Sequence, residues 1–174
     1  MLFEDELDVH LNPIIGPDWT LPGQRREVVT PGNNQKRFVA GALNASAARV
    51  TWVHGKKKTS ALFIDLVRAV DAAYPRAKRL HFILDNAATH SSKKTHKALE
   101  ALGERLVLHF LLPYCPEGNR IERLWWDVHA NVTRNPRCKK MEALMSEVDA
   151  YLDARNTQKS ARPLLRDTSA RRAA

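Results

Sequence analysis

The chain has 174 residues, of which 44% are apolar, and this suits one domain with a core and a tail. No apolar run approaches the roughly 20 residues that cross a bilayer, and the acidic start Met-Leu-Phe-Glu-Asp-Glu differs from a secretory signal. A cytoplasmic protein is therefore expected. The two cysteines lack the spacing of a zinc site or a disulfide framework. The net charge of +9 leaves two interpretations open, namely binding to a phosphate-bearing polyanion or a solvated surface with a disordered basic end.

The first part of the chain predicts mainly strands. Residues 2–5 are predicted to form a short strand that ends at Asp5, and the proline- and glycine-rich residues 12–23 are predicted to form a loop. Apolar runs at residues 36–43 and 49–54 are joined by a short stretch of Asn, Ala and Ser, which predicts an antiparallel hairpin.

The second part alternates between helical and extended patterns. Residues 62–70 carry apolar side chains at helical spacing, and Pro75 ends this helix. A nearly continuous apolar run at residues 80–84 predicts a strand covered on both faces, and residues 106–112 predict a second buried strand that Pro113 stops. The remaining predicted helices are one capped by Ser91 or Ser92 and closed by Gly103, one at residues 121–132 and one at residues 141–152.

The order strand, hairpin, helix, strand, helix, strand, helix, helix predicts an α/β fold. Its sheet is expected to be mixed, antiparallel in the first part and parallel in the later part. We expect one domain over residues 1–155. Residues 156–174 lack periodicity, and from Arg155 onward the chain carries six basic side chains and one acidic side chain, so a basic, disordered tail is expected there.

Three acidic residues stand out by their positions in these elements. Asp5 and Asp85 end predicted strands, and functional groups of open α/β sheets gather at the carboxyl ends of strands. Glu122 follows Ile121, which begins an apolar helical stripe, so its side chain is expected beside the buried face. Converging carboxylates raise one another's pKa unless cations neutralise them. Oxygen ligands favour Mg²⁺ or Mn²⁺, and two such ions about 4 Å apart suit an in-line phosphoryl displacement.

Each of these positions also has a purely structural interpretation, which sequence position alone does not exclude. Asp85 and Asn86 both favour a turn after a strand. Glu122, in a first helical turn, complements the helix dipole. Asp5 lies near a chain end, where strands fray.

A motif around the third acidic residue points to a family. Residues 112–125, Leu-Pro-Tyr-Cys-Pro-Glu-Gly-Asn-Arg-Ile-Glu-Arg-Leu-Trp, resemble the last signature of bacterial insertion-sequence transposases of the Tc/mariner superfamily. The glutamate of that signature falls on Glu122. The chain departs from the signature at Cys115, Gly118 and Arg120, where the family has Ser, Leu and Pro, and Arg120 alters the approach to the helix that carries Glu122.

Two further motifs support the same resemblance. Residues 85–90, Asp-Asn-Ala-Ala-Thr-His, resemble the family's second motif, and residues 5–6, Asp-Glu, resemble its first. Trp19 and Gly23 suit the Trp…Gly stretch that follows the first motif. The second and third acidic residues are separated by 36 residues, which falls within the family's mid-thirties spacing.

The resemblance covers about residues 1–155 and implies a ribonuclease-H-like fold, with a mixed five-stranded sheet and helices on both faces. It implies that Asp5, Asp85 and Glu122 are the catalytic residues and the ligands of two Mg²⁺ or Mn²⁺ ions. The implied reaction is cleavage of DNA at transposon ends followed by transfer of the 3′-hydroxyl into target DNA.

The resemblance also implies partners and a location. The expected partners are DNA and a second copy of the chain in a homodimer, and the expected location is the bacterial cytoplasm, at the nucleoid when DNA is bound. Members of the family carry an N-terminal helix-turn-helix region, which this chain is expected to lack.

Candidate contacts to nucleic acid lie near the motifs and in a lysine run before the first helix. They are Asn86, His90, Asn119, Arg120, Arg123, Lys56, Lys57 and Lys58. The lysine run is equally consistent with a solvated loop, and His90 with a histidine at a helix start. His109, Trp125 and Trp126 are expected to pack inside the fold.

Two other functions stay open on the sequence alone. One is a metal-dependent nuclease that cuts without strand transfer, such as a ribonuclease H or a junction resolvase, and the motif at residues 119–125 argues against it. The other is an inactive transposase remnant that binds nucleic acid or a partner protein.

Overall fold

The computed structural model describes most of the chain. The described residues are 1–12, 15–16, 19–25, 27–28, 30–32, 34–113, 116–134 and 138–158. Cys115 and residues 159–174 lie outside them, so the expectation of a disordered tail stays a prediction.

A five-stranded mixed sheet forms the centre of the fold. Its strands are β1 Leu2–His10, β2 Lys36–Asn44, β3 Arg49–Gly55, β4 Leu80–Leu84 and β5 Leu106–Phe110. Their order across the sheet is β3-β2-β1-β4-β5. β2 pairs antiparallel with β1 and β3, whereas β4 pairs parallel with β1 and β5. β1 therefore joins the antiparallel half of the sheet to the parallel half.

Helices cover both faces of this sheet. They are α1 Ser60–Ala73, α2 Lys93–Glu100, α3 Ile121–Val128 and α4 Met141–Thr157. α1 packs on one face, where Phe63 and Phe82 are fully buried, and Leu99 of α2 packs against the same cluster. α3 and α4 pack on the other face, and a π-helical turn, His129–Thr133, follows α3 directly.

Local sequence sets the ends of the helices next to β4. Pro75 cannot continue a helix because it lacks a backbone N–H, and α1 ends at Ala73. The hydroxyl of Ser92 accepts a hydrogen bond from the backbone N–H of Thr95 at 3.1 Å and so caps α2.

The predicted order of elements and the change from antiparallel to parallel pairing are confirmed. The hairpin, the strand at residues 80–84 and the Ser92 cap are also where the sequence predicts them.

Two strand predictions are wrong. β1 does not end at Asp5 but continues to His10, because β2 pairs with its whole length and the core buries Leu7 and Val9. β5 ends at Phe110 and is an edge strand, so it is only partly buried. An edge strand has a neighbouring strand on one side only. The apolar side chains of β5 are therefore less covered than those of a strand in the middle of the sheet.

The domain extends slightly beyond its predicted end at residue 155. α4 continues to Thr157, and Asn156 is hydrogen-bonded to the backbone of Val50 in β3. The Asn156 amide accepts from the N–H of Val50 and donates to its carbonyl, both at 2.8 Å. These bonds satisfy backbone groups at the edge of the sheet, so Asn156 belongs to the folded domain rather than to the tail.

Gly41 of β2 allows α3 to lie close to the sheet. A Cβ atom at this position would lie 2.5 Å from the outer ring of Trp125 and 3.3 Å from Ile121. Both residues are buried in α3. A larger residue at position 41 therefore requires α3 to move away from the sheet or Trp125 to change its rotamer.

Within the described part of the chain, no helix is both long enough and apolar enough to cross a membrane.

Gly41→Ala is expected to lower the free energy of unfolding by about 1–3 kcal/mol, because overpacking strains the core. The measurement is urea denaturation of a double-mutant cycle with Trp125→Phe, since phenylalanine lacks the outer ring that the new methyl group meets. We expect Gly41→Ala to cost less in the Trp125→Phe background than in the wild type. An equal cost in both backgrounds would mean that Trp125 is not what the glycine accommodates.

Candidate active site

Asp5 lies in the middle of the sheet, on the face that α3 covers. Its partner across the β1–β2 pair is Gly41, and residues directly opposite each other in an antiparallel pair share a face of the sheet. The space over Gly41 is filled by Trp125 and Ile121 of α3. The half-buried carboxylate of Asp5 is therefore next to the beginning of that helix.

Glu122 is the residue of α3 whose charge acts on Asp5. It stands in the first turn of the helix, and its side chain is exposed. Burial and the negative charge of Glu122 raise the pKa of Asp5 to about 7, while a hydrogen bond from the backbone of Glu6 and the charge of Lys58 act in the opposite direction. The two carboxylates are thus close enough to repel each other.

Asp85 follows β4 directly and belongs to the neighbouring strand of the parallel pair. The register pairs Phe3 with Ile83, so two residues further on Asp85 lies level with Asp5. Its Oδ1 accepts a hydrogen bond from the N–H of Ala87 at 2.9 Å, and 59% of its side chain is exposed. This exposure leaves room for a ligand at the carboxyl end of β4.

The charges of the three acidic residues act on different neighbours. The charge of Glu122 acts on Asp5, whereas the charge of Asp85 acts on Glu4 and Glu6 of β1. Asp5 and Glu122 therefore lie within electrostatic range of each other, whereas Asp85 ends the adjacent strand with its carboxylate near the opposite side of β1. Among the described residues, the group of three whose ligand atoms lie within 4.8 Å of one another is Glu4, Glu6 and His90.

His90 and Asn119, expected as contacts to DNA, are buried. The side chain of His90 is 1% exposed, and its Nε2 lies 3.2 Å from Oδ1 of Asp85 and 3.6 Å from Oε2 of Glu4. Asn119 is 5% exposed, and its amide donates to the carbonyl of Glu4 at 2.7 Å. This corrects the expectation, because both side chains connect other elements to β1 and neither is accessible to a DNA backbone.

Asn86 and Arg120 are exposed and contact the protein as well. The amide of Asn86 donates to the carbonyl of Leu111 at 2.7 Å and joins the loop after β4 to the chain after β5. The guanidinium of Arg120 lies over the ring of Phe3, 5.7 Å from its centre. This cation–π contact holds the residue before α3 against β1.

The basic candidates differ in their surroundings. Lys56, Lys57 and Arg123 are exposed. Lys58 lies beside the acidic region, by which we mean Glu4, Asp5, Glu6 and Asp8 of β1, since its Nζ lies 2.9 Å from Oδ1 of Asp8. Lys58 therefore serves as a counter-ion for β1, whatever else it binds.

Glu4 and Glu6 are members of the acidic region that the sequence prediction missed. Burial and the charges of Glu6, Asp5 and Asp85 raise the pKa of Glu4 well above its usual range, although Lys58 lowers it. Burial also raises the pKa of Glu6. The alternation of side chains along a strand could have revealed them. If β1 continues beyond residue 5, Glu4 and Glu6 share one face of the sheet and Asp5 lies on the other.

Two aromatic side chains expected inside the fold are not buried, whereas Trp125 is buried as predicted. Trp126 is 69% exposed, because it follows Trp125 on the outer side of α3. His109 of the edge strand is exposed and stacks on His81 of β4. An exposed indole four residues after Glu122 is available to a ligand at the start of α3.

Comparison with known proteins gives the family of the chain. The sequence model of the DDE superfamily endonuclease matches residues 1–145. The chain belongs to this family.

A curated relative supports the assignment. The "Insertion element IS630 uncharacterized 39 kDa protein" of Shigella sonnei is 42% identical over 153 residues, which are 88% of this chain and 44% of the relative. The chain thus spans less than half the length of that protein.

Solved structures share the fold. A Mos1 transposase paired-end complex with the left transposon end matches 88% of this chain and 47% of its own, with a TM-score of 0.64 and 19% identity. A Mos1 mariner paired-end complex with Mn matches 88% and 48%, with a TM-score of 0.63 and 20% identity. The ribonuclease-H-like architecture expected from the sequence, a mixed five-stranded sheet with helices on both faces, is confirmed.

The raised pKa of Asp5 predicts a pH-dependent gain in stability for Asp5→Asn. The carboxyl ionises near pH 3.8 when unfolded and near pH 7 when folded, so the folded state holds the extra proton between these values. The wild type therefore loses stability as the pH rises through this window, and asparagine does not. In chelator, we expect the Tm advantage of Asp5→Asn to grow from pH 4 to pH 8.

The exposed Asp65→Asn on α1 is the control for this pH series, and its Tm difference from the wild type is expected to change little. A Tm difference for Asp5→Asn that stays constant across the series would contradict the burial and the repulsion assigned to Asp5.

Proposed function

We propose that this chain is the catalytic core of a DDE transposase. Asp5, Asp85 and Glu122 hold two Mg²⁺ or Mn²⁺ ions, and the chain cleaves DNA at transposon ends and transfers the resulting 3′-hydroxyl into target DNA. The proposal rests on the family, on the motifs around the three acidic residues and on the similar structures, of which one is a paired-end complex with a transposon end and another a paired-end complex with Mn.

The observation that carries the proposal is the pair of carboxylates formed by Asp5 and Glu122. The pKa of Asp5 is raised to about 7 by burial and by the charge of Glu122, so the pair lacks a full counter-charge of its own. A divalent cation between these groups would remove the repulsion and keep Asp5 ionised at neutral pH.

The donor set fits hard divalent cations. Asp5, Asp85 and Glu122 offer carboxylate oxygens, and Mg²⁺ binds through one or two carboxylates while it keeps several waters. The exposure of Asp85 and Glu122 leaves space for those waters and for a phosphate group. When bound, two such ions supply activation of the attacking oxygen and stabilisation of the charge on the phosphate.

The remaining residues hold the ligands in place. Asn119 ties the turn before α3 to β1 through its 2.7 Å bond to the carbonyl of Glu4. Asn86 anchors the loop that carries Asp85 to Leu111. These contacts restrict the movement of the segments that carry Glu122 and Asp85, which lowers the reorganisation that catalysis requires.

Exposed cationic and aromatic groups lie on the same elements as the ligands or next to them. Arg120 and Arg123 flank Glu122, and Lys56 and Lys57 precede α1. We assign these side chains to the phosphate backbone of DNA and the exposed Trp126 to stacking on an unpaired base. A homodimer stays a prediction.

The decisive experiment is cleavage of DNA that carries the ends of the element, in Mg²⁺, in Mn²⁺ and in chelator. We expect metal-dependent nicking in the wild type and a loss of at least 100-fold in Glu122→Gln, with DNA affinity unchanged. Glu117→Gln, in the short turn before α3, is the matched control and is expected to cleave normally. Equal nicking by Glu122→Gln and the wild type would refute the role of Glu122.

The same assay separates the alternative functions. Joining of the cleaved 3′ end to a target plasmid distinguishes a transposase from a nuclease that only cuts. DNA binding without metal, together with no cleavage in Mn²⁺, would identify an inactive remnant.

The lysine run predicts a change in the salt dependence of DNA binding. Replacing Lys56 and Lys57 by alanine is expected to weaken binding and to reduce the slope of log affinity against log salt by about 2, since each phosphate contact contributes about 0.9. Lys94→Ala with Lys97→Ala, on the exposed side of α2, is the control for total charge. A slope that falls equally in both double variants would mean that Lys56 and Lys57 make no specific contact.

A further inference from the structure

A second group of potential metal ligands lies on the other face of β1. Glu4 and Glu6 pair across the sheet with Ala42 and Ala40, which are buried in the cluster that α1 covers. Asp5 pairs with Gly41 under α3 instead. The side chains of Glu4 and Glu6 are therefore separated from Asp5 by the sheet itself.

Glu4 is buried and Glu6 half-buried, and their inaccessible oxygens lack matching donors within the described part of the chain. Both oxygens of Glu4 and Oε1 of Glu6 are inaccessible and have no hydrogen-bond partner among the described residues. Glu4 is 1% exposed. Lys58, the cation that acts on both, is already paired with Asp8 at 2.9 Å. Buried carboxylates normally pair with a cation or accept several hydrogen bonds, so this arrangement lacks a positive charge.

His90 completes the group from the loop after β4. Its ring packs edge-on against Phe63 of α1, with 4.5 Å between the ring centres, and its backbone N–H donates to Ala87 at 3.0 Å. One ligand atom each from Glu4, Glu6 and His90 lies within 4.8 Å of the other two. The imidazole is thus held in place and directed at the two carboxylates.

We propose that Glu4, Glu6 and His90 form a binding site for a transition-metal dication, separate from the ions assigned to Asp5 and Glu122. One imidazole nitrogen with two carboxylate oxygens suits Zn²⁺ and similar ions better than Mg²⁺, which prefers oxygen ligands alone. Oδ1 of Asp85, 3.2 Å from Nε2 of His90, lies beside the same site. A bound ion ties the loop that carries Asp85 to β1.

The test uses the full chain with Asp5→Asn and Glu122→Gln, which removes two of the ligands assigned to the catalytic ions. Zn²⁺ is titrated by calorimetry, and Tm is followed in parallel. We expect one equivalent of Zn²⁺ to bind and to raise the Tm, while Mg²⁺ at the same concentration produces neither effect. Adding Glu4→Gln or His90→Gln is expected to weaken Zn²⁺ binding at least tenfold and to abolish the rise in Tm.

His81→Gln is the matched control, because His81 and His109 form an exposed imidazole pair that offers Zn²⁺ an alternative site. Zn²⁺ binding that is lost in His81→Gln but kept in His90→Gln would overturn the proposal, and so would the absence of stoichiometric binding in the starting variant. The metal-free Tm of each variant shows whether it folds. The test needs only one of Glu4→Gln and His90→Gln to fold. Cleavage by the wild type in Mg²⁺ tests the catalytic site independently.

Discussion

The burial of negative charge in the middle of the sheet is the constraint on which the rest of this structure depends. β1 carries four acidic side chains, Glu4, Asp5, Glu6 and Asp8, and antiparallel and parallel strands flank it. Such a strand is costly unless cations compensate it, since burial disfavours each ionised carboxylate. Lys58 compensates part of the charge by pairing with Asp8. We therefore propose that metal ions compensate the remaining charge.

The alternation of side chains along β1 divides this charge between two faces. Asp5 is directed to α3, where Glu122 stands in the first turn. Glu4 and Glu6 are directed to α1, where His90 is buried beside them. Asp85 is placed between the two groups, because it follows β4 and contacts His90 while it lies level with Asp5. The loop after β4 therefore connects two regions that the sheet otherwise separates.

The close approach of α3 to the sheet places Glu122 near Asp5. It depends on Gly41 having no side chain and on Trp125 filling the space above it. Trp125 and Ile121 therefore position the helix, while the exposed Glu122 between them remains free to bind a ligand. One face of a single helical turn stabilises the fold, and the other carries the proposed chemistry.

Patterns contained in a single segment were predicted well from the sequence. The apolar run of β4, the hairpin and the motif around Glu122 gave the order of the elements and the candidate acidic residues. The extent of β1, which depends on pairing with a distant segment, was missed. β1 was expected to end at Asp5 because its acidic residues break the apolar pattern, yet pairing with β2 extends it to His10.

Burial was the other property that the sequence did not reveal. His90 is buried because Glu4 and Phe63, from two distant elements, surround it. β5 is half-exposed because the topology puts it at the edge of the sheet, although its composition resembles that of the buried β4. Trp126 is exposed because its neighbour Trp125 occupies the inner side of α3.

The central claim is that Asp5, Asp85 and Glu122 share metal ions. A crystal structure of the chain grown with Mn²⁺, analysed by anomalous scattering, tests it most directly. The account predicts manganese peaks bonded to carboxylate oxygens of all three residues, at the carboxyl end of β4 and beside the first turn of α3. Manganese bound elsewhere, with Glu122 and Asp5 contacting no ion, would contradict it.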